Sequence, residues 1–475
     1  MRFVDVNPFF YPHHGGIETR MHDTARLLAA RGHDVTVLTG RLPDTAEEEM
    51  TEFGYRVVRL KSRFINVYNP PYISSEGVLE ALESIDADVV NYNYRWAPSY
   101  NKDLKRYDGR KVFTYHNMWG EGTGIQAKLS EMNDNAFRKT LETFDRIVCV
   151  SSYVRDDLVR KGIPEKDTVV IPTCMDLPEP SGEPEGDFIL SLGRLVPTKG
   201  LEYLMEAMTD IDCKLIMCGR GPEEKRLRRM ASRLGLEDRV EFRGYVSEEE
   251  KNRLMDTCKV FVMPSLFESF GLAALEVLGH GRPLVFSDVN GLPETVGDGG
   301  IAVPPRDPKA LSAAVNRLLG DDPLRAELAS KARSQAGTYT WDRYIGLYED
   351  VLSGKDRRRS ERVKSLDVTL GLAAVDELLD LVGPADDTDV AVRCGEQRVR
   401  GLARFGDEDD LVHILELLEP ANGSLRRIMA DDRQDHPGLA GELTLAYHYR
   451  LDVDLVAGEL PHDPLHDSEL VLDDE

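Results

Sequence analysis

Short apolar runs alternate with amphipathic stretches along most of the chain. Over the first 175 residues, runs at Phe3–Val6, Val35–Leu38, Tyr55–Leu60, Val89–Tyr92, Val112–Tyr115, Arg146–Val150 and Val169–Ile171 have the length and composition of buried strands. Ile17–Ala30, between the first two, carries helical spacing. This alternation predicts a doubly wound α/β domain over 1–175. A segment dense in Pro, Gly and acidic residues, 176–187, then reads as a linker.

A second α/β series follows over 188–340. Strands are expected at Phe188–Leu192, Lys214–Cys218, Val240–Phe242, Val260–Met263, Pro283–Ser287 and Gly300–Val303. Helices are expected at Gly200–Met208, Pro222–Leu234, Glu248–Thr257, Leu272–His280 and Pro308–Leu319. The prediction is two doubly wound domains of similar size facing each other across a cleft. In such sheets ligands lie beyond the carboxyl ends of the strands, so chemistry is sought in the loops that follow them.

After the basic stretch that begins at Lys355, residues 361–475 read as a small acidic α+β extension. Its expected elements are helices Val375–Leu381 and Asp410–Leu418, a hairpin of Val390–Arg393 with Val399–Phe405, and strands Leu425–Met429 and Glu442–Val456. Asp463–Glu475 is expected to be disordered.

Composition narrows the class. The 475 residues are 41% hydrophobic and 30% charged, which is globular, and no apolar run approaches the ~20 residues of a spanning helix. The chain enters a strand directly after Met1-Arg2, which predicts a cytoplasmic protein without an export signal. Six cysteines without a CxxC pair predict reduced thiols and neither a zinc ribbon nor a disulfide framework. A net charge of −25 excludes non-specific nucleic-acid binding. Residues 361–475 hold 28 acidic and 10 basic side chains, a net of −18, which leaves −7 for the first 360. Acid excess with arginine outnumbering lysine points to a high-salt, halophilic cytoplasm, where carboxylates keep a protein hydrated.

The densest chemistry lies between Met263 and Glu276. Glu268 precedes an expected helix and Glu276 sits about two turns inside it, near the face of its start. The amides of Phe270, Gly271 and Leu272 open that helix and offer unpaired donors to a phosphate. Two carboxylates flanking such a helix start suit the hydroxyls on either side of a diphosphate, the layout of a nucleotide sugar. Arg194 and Lys199, after the first strand of the second series, suit the phosphates themselves, a fork and a point charge in place of a metal ion. The glycine turn Gly219-Arg220-Gly221 and the loop reaching Val246 suit a nucleobase slot. In the first domain, Gly15-Gly16 aims a helix end at the cleft, and His116 ends a strand at the same level. His13 and His14 lack a third ligand, so no metal site is expected.

Taken together these residues resemble a known family. The chain from 1 to about 352 is similar to the family 4 retaining glycosyltransferases, whose GT-B fold has two facing Rossmann-like domains. The resemblance rests on Pro-His-His-Gly-Gly-Ile-Glu-Thr near the N-terminus, Arg31-Gly-His-Asp-Val-Thr-Val, Val150-Ser-Ser-Tyr-Val, Gly193-Arg-Leu…Lys-Gly, Gly219-Arg-Gly-Pro and Glu268-Ser-Phe-Gly…Glu276. Trp341-Asp-Arg-Tyr looks like the family's terminal helix, expected over 341–354 and crossing back to the first domain.

The resemblance implies that Arg194 and Lys199 hold the donor diphosphate, Glu276 the ribose and Glu268 the transferred sugar. It implies that His116 lies beside that sugar and Gly16 near the distal phosphate, with front-face transfer and the donor phosphate as base. The substrate is then a UDP-, GDP- or ADP-sugar, with no cofactor, and the acceptor a lipid-linked or glycan molecule in cell-surface glycan or glycolipid synthesis. Two departures stand out: Asn91-Tyr-Asn-Tyr, where relatives often carry histidines, and the unmatched residues 361–475. A sugar-nucleotide epimerase, a phosphorylase or a non-catalytic nucleotide-sugar-binding protein are the alternatives on this fold. Peripheral contact with the inner membrane face is expected through basic residues of Arg59–Arg63 and Lys102–Lys111.

Overall fold

The computed structural model describes residues 1–65, 72–122, 125–179 and 181–356, with strand backbone at 370–371, 440–448 and 450–457. The first sheet contains β1 (Arg2–Val6), β2 (Asp34–Gly40), β3 (Glu48–Met50), β4 (Arg56–Leu60), β7 (Val89–Tyr92), β8 (Lys111–Tyr115), β9 (Arg146–Cys149) and β10 (Thr168–Val170), with β5 (Ser62–Ile65) and β6 (Tyr72–Ser75) as a separate hairpin. Its order is β10-β9-β8-β7-β1-β2-β4-β3, parallel throughout except for β3 against β4. Helices α1 (Gly16–Ala30), α2 (Val78–Ile85), α3 (Pro98–Arg106), α4 (Ile125–Leu141) and α5 (Ser152–Arg160) connect these strands.

The second sheet comprises β11 (Phe188–Leu192), β12 (Lys214–Cys218), β13 (Val240–Gly244), β14 (Val260–Met263), β15 (Leu284–Ser287) and β16 (Gly300–Val303). It is wholly parallel in the order β13-β12-β11-β14-β15-β16. Helices α6 (Leu201–Ala207), α7 (Glu224–Leu234), α8 (Glu248–Thr257), α9 (Leu272–Gly279), α10 (Leu292–Val296), α11 (Pro308–Gly320) and α12 (Asp322–Gly337) surround it.

The central strands are buried on both faces, as parallel sheets require: Phe3, Val4 and Val6 in β1 and Val260, Phe261 and Val262 in β14 have no exposed surface. Helix starts follow from the sequence. Ser247 Oγ accepts from Glu250 N at 3.2 Å to open α8, and Asp307 Oδ1 accepts from Ala310 N at 3.0 Å ahead of Pro308 in α11. Helix α13 (Trp341–Ser353) lies on the first sheet, with Trp341, Ile345 and Tyr348 packed among Phe3, Val35 and Val57. There Trp341 Nε1 donates to Asp23 at 3.3 Å, and the Arg20 guanidinium sits 5.2 Å from its ring centre.

The structure adds elements that periodicity did not indicate. Helix α12 buries only Leu328, Ala332 and Ala336, too sparse an apolar stripe to stand out in sequence. The charged β3 is exposed and pairs at the edge. From Ser353 onward a separate unit begins. There the single strand expected over Glu442–Val456 is two antiparallel strands, β18 (Ala440–His448) and β19 (Arg450–Ala457), with β17 (Leu370–Gly371) beside β18. The chain reverses between His448 and Arg450, a break that the alternation of apolar residues did not mark. The expectations for Val375–Leu381, Val390–Arg393, Val399–Phe405, Asp410–Leu418, Leu425–Met429 and Asp463–Glu475 lie outside the described residues.

Candidate active site

Strand order reverses direction between β11 and β14, and that switch point opens a crevice at the strands' carboxyl ends. Arg194 and Lys199 stand in the loop after β11, and Glu268 in the loop after β14. The two loops are tied together by Leu266 N donating to Thr198 O at 2.7 Å. Lys199 Nζ forms an ion pair with Glu268 Oε1, and Ser265 Oγ donates to the same oxygen at 2.8 Å. One carboxylate oxygen is thus engaged and the other has no partner among the described residues. Arg194 is exposed and makes no ion pair among the described residues.

Helix α9 is capped at its start by Gly271, whose φ of +98° places it in the left-handed region, and a Cβ there would meet Leu292 Cδ1 at 2.7 Å. The amides of Phe270, Gly271 and Leu272 have no partners among the described residues, as expected of a helix start. The Phe270 ring is buried, edge-on to Tyr339, so only its backbone reaches the mouth. Glu276 is the fifth residue of α9, a little over one turn in rather than two, because the helix starts only at Leu272. It lies on the same face as Leu272. Its Oε1 pairs with Lys251 Nζ at 2.9 Å, and Lys251 also reaches Glu248 at 2.6 Å. Burial opposes the Lys251 charge, yet the two glutamates leave its pKa raised. Nothing in the sequence marked Lys251, since an E-E-E-K helix start is an ordinary solvated pattern.

The loops after β11, β12 and β13 are zipped together. Gly193 N donates to Cys218 O at 3.0 Å, Leu195 N to Arg220 O at 2.9 Å and Gly219 N to Gly244 O at 2.7 Å. A Cβ at Gly219 would lie 1.9 Å from Gly193 O, and one at Gly221 2.2 Å from Leu195 O. The close approach these glycines permit is therefore to the neighbouring loop, and a nucleobase is not needed to explain them. Val246 is half-buried beside the fully presented Tyr245, which is 59% exposed.

On the opposite wall, α1 starts at Gly16, and a Cβ there would stand 3.4 Å from Leu272 Cδ2, so the starts of α1 and α9 face each other. His116 follows β8 with Nε2 2.9 Å from Asn93 Oδ1. Its ring keeps some access to the cleft but is densely surrounded. Burial, with the positive charges of Arg20 and Arg95, holds its pKa well below the ordinary histidine value. Hydrogen bonds join the two walls. Ser269 Oγ donates to His116 O at 2.6 Å, Ser151 Oγ to Ser269 O at 2.6 Å, Asn290 Nδ2 to the Tyr153 hydroxyl at 3.0 Å, and the Glu294 carboxylate accepts from Ser152 N at 2.9 Å. Ser151, Ser152 and Tyr153 belong to the Val-Ser-Ser-Tyr-Val stretch, whose cross-wall role has no signature in local sequence.

His13 packs on Phe9 and His14 on Tyr11, and among the described residues no group of three His, Cys, Asp or Glu side chains is placed to hold a metal ion. The basic patch expected on the first domain is smaller than the sequence suggested. Arg59 is buried against Glu49, and Lys111 is buried with Nζ donating to Leu104 O and Tyr107 O. Lys61, Arg63, Lys102, Lys105 and Arg106 remain exposed.

Two family models match contiguous parts of this chain: the glycosyl transferases group 1 over residues 176–335 and the glycosyltransferase family 4 over residues 14–179. The chain is a family 4 glycosyltransferase. Among its relatives, the O-antigen chain mannosyltransferase C of Escherichia coli is 28% identical over 75% of this glycosyltransferase and 100% of its own length. The phosphatidyl-myo-inositol mannosyltransferase of Mycobacterium leprae is 27% identical over 74% of this chain and 97% of its own. The glycosyltransferase also matches the alpha-D-kanosaminyltransferase of Streptomyces kanamyceticus at 34% identity, over 37% of this chain and about half (49%) of that one. In fold it is similar to sucrose-phosphate synthase from Thermosynechococcus elongatus, with a TM-score of 0.62 and 22% identity over 74% of this chain and 100% of that one. It is equally similar to Anabaena HepE solved with UDP-glucose, with a TM-score of 0.61 and 19% identity over 74% and 100% of the two chains. The architecture of this glycosyltransferase is GT-B.

Proposed function

We propose that this glycosyltransferase takes a sugar from a nucleoside diphosphate donor and passes it, with retention of configuration, to a lipid-linked or glycan acceptor. The observation that carries the reading is the convergence at the β11/β14 switch point: an unpaired Arg194, Lys199 beside Glu268, and the open amides at the start of α9. Arg194 and Lys199 neutralise the leaving diphosphate, and the α9 amides receive its oxygens. Glu268 keeps one oxygen for the transferred sugar and Glu276 one for the ribose. Residues 188–340 form the donor domain, residues 1–175 the acceptor domain, and 341–354 the helix returning to it. The described groups that converge there, Arg194, Lys199 and the α9 amides, are suited to stabilising a leaving diphosphate, which supports departure and attack on one face with the donor phosphate taking the acceptor proton.

Acceptor class is supported by the relatives' printed substrates, an O-antigen chain and phosphatidyl-myo-inositol. We place the protein in the cytoplasm, meeting the inner membrane face through the exposed Lys102, Lys105 and Arg106. No described helix is long and apolar enough to cross a membrane. Calorimetric titration with UDP, GDP and ADP tests the donor site. One nucleotide should bind in the micromolar range and lose at least ~10-fold in affinity with Arg194→Ala, as a charge-assisted bond to phosphate is removed. Binding of none of the three, or affinity untouched by that substitution, would contradict the assignment.

A further inference from the structure

Behind the His116 ring lies a buried polar relay that the donor site does not account for. Asp5 in β1, Asn91 in β7 and Thr114 in β8 are each 1% exposed, and Asn93 just past β7 is 4% exposed. Asn93 Nδ2 donates to Asp5 Oδ1 at 2.6 Å and to Val6 O at 3.2 Å. Asn91 Nδ2 donates to Asp5 Oδ1 at 2.9 Å and to Asn93 Oδ1 at 3.2 Å, while Thr114 Oγ1 donates to Asn91 Oδ1 at 2.8 Å. These four residues are the floor of the first sheet at its own switch point, between β1 and β7.

The pattern fixes every amide. A backbone carbonyl only accepts, so the Asn93 amide cannot be turned round: Nδ2 faces Val6 O and Asp5, and Oδ1 faces the ring. That oxygen also only accepts. The His116 Nε2 that lies 2.9 Å from it must therefore carry the hydrogen. Burial and the charges of Arg20 and Arg95 disfavour a second proton on the ring, and without one Nδ1 is a lone-pair acceptor. Nδ1 has no partner among the described residues and is not one of the buried polar atoms without a partner, so it has access to the cleft.

Such a relay is costly to bury. Desolvation pushes Asp5 up to about 7, against the opposing hydrogen bonds of Asn91 and Asn93 and the charge of Arg20. Apolar side chains would fill the same floor of a parallel sheet more cheaply, which argues that the relay serves the ring in front of it.

We propose that Asn93, anchored by Asp5, is a positioning residue that holds His116 as its Nε2–H tautomer and so presents Nδ1 as an acceptor for a hydroxyl of the donor sugar. This rests on the donor-site reading above. It gives the site a preference by chemistry: the sugar group opposite His116 must donate a hydrogen, and a donor deoxygenated at that position loses its partner. The Asn91-Tyr-Asn-Tyr segment, set apart in the sequence by its asparagines, thereby acts through His116 on the donor side.

The test is nitrogen NMR of the full chain labelled with 15N-histidine, with the His116 signals identified by their loss in His116→Gln. The wild type should show the Nε2–H pattern. Asn93→Ala should show a mixture of the two tautomers, with kcat lowered roughly 10- to 100-fold by the misoriented ring and nucleoside diphosphate affinity unchanged. Asn93→Ser, polar but too short to reach Nε2, gives the same readout if the alanine variant does not fold. Asn91→Ala, which removes contacts to Asp5 and Asn93 but none to the ring, should lower thermal stability and leave the tautomer in place, because Asn93 keeps its own bonds to Asp5 and Val6 O. The proposal is overturned if Asn93→Ala keeps both the Nε2–H pattern and the wild-type kcat, or if Asn91→Ala scrambles the tautomer equally. The tautomer is read without turnover, so a wild type that transfers no sugar would refute the donor reading and leave this result to be judged separately.

Discussion

Lys251 Nζ holds Oε1 of Glu276 at 2.9 Å, just as Lys199 holds Oε1 of Glu268, so each glutamate enters the crevice with one oxygen fixed and one left over. The pairing orients both carboxylates before a ligand arrives, and the roles proposed for them differ with their positions. Glu276→Ala should raise the Kd of the nucleoside diphosphate ~10-fold or more, the scale of a lost hydrogen bond to a charged group.

Glu268→Ala should behave differently, because the free nucleotide has no sugar for it to hold. Its kcat should fall by roughly 100-fold, comparable to removal of one transition-state hydrogen bond, while free-nucleotide affinity stays near that of the wild type. Titration calorimetry beside steady-state kinetics separates the two. Equal losses of nucleotide affinity in both variants would contradict the roles.

Glu294 reaches from α10 to the amide of Ser152 at the start of α5, so a carboxylate from one wall sits on a helix N-terminus of the other. Glu294→Ala should lower stability by about 1 kcal/mol, as loss of a helix cap does. It should also widen the ligand-free molecule in small-angle scattering. An unchanged scattering profile would mean that this bond does not hold the walls together.

Gly219 has a φ of +133° and no room for a Cβ, with Gly193 O only 1.9 Å from where it would stand. Gly219→Ala should therefore cost roughly 3 kcal/mol or more through the clash and the strained backbone, and the lost zipper should disorder the Arg194 loop. Chemical denaturation measures the first effect and nucleotide titration the second.

Acid should expose the buried imidazole. Because folding lowers the His116 pKa from its ordinary 6.5, the unfolded chain takes up a proton that the folded chain refuses as pH falls. The stability this group contributes is present above that value and is lost below it, with a slope of up to about 1.4 kcal/mol per pH unit until the folded pKa is reached. Thermal unfolding between pH 7 and 5 should thus fall more steeply for the wild type than for His116→Gln. Parallel curves would show that the ring charges freely in the fold.

Much of the architecture was legible because it rests on local patterns. Val35–Leu38 and Val260–Met263 are apolar runs too short to be anything but buried strands, and the breakers from 176 to 187 separate two such series. Glu268, Glu276, Arg194 and Lys199 stood out as candidates because each follows a strand at the end where parallel sheets bind ligands, and the structure brings them to one crevice. What escaped was what depends on distant partners. Lys251 is one of many charged residues on a solvated helix until α9 places Glu276 beside it. Gly219 and Gly221 pointed to a ligand, yet the nearest atoms belong to the adjacent loop. Arg59 and Lys111 counted as surface charge until the fold turned them inward. Asn93 registered only as a departure from family pattern, because its partners Asp5 and His116 stand on other strands.

The central claim, that the β11/β14 crevice cleaves a nucleotide sugar and delivers the sugar to an acceptor, is tested most directly by one assay. The full chain is incubated with UDP-, GDP- and ADP-sugars, at high and low salt, with and without a lipid extract, and both nucleoside diphosphate release and the anomeric configuration of the product are followed. The account predicts release that depends on the extract and a product retaining the donor's configuration. Tight nucleotide binding without release under any condition, or an inverted product, would contradict it.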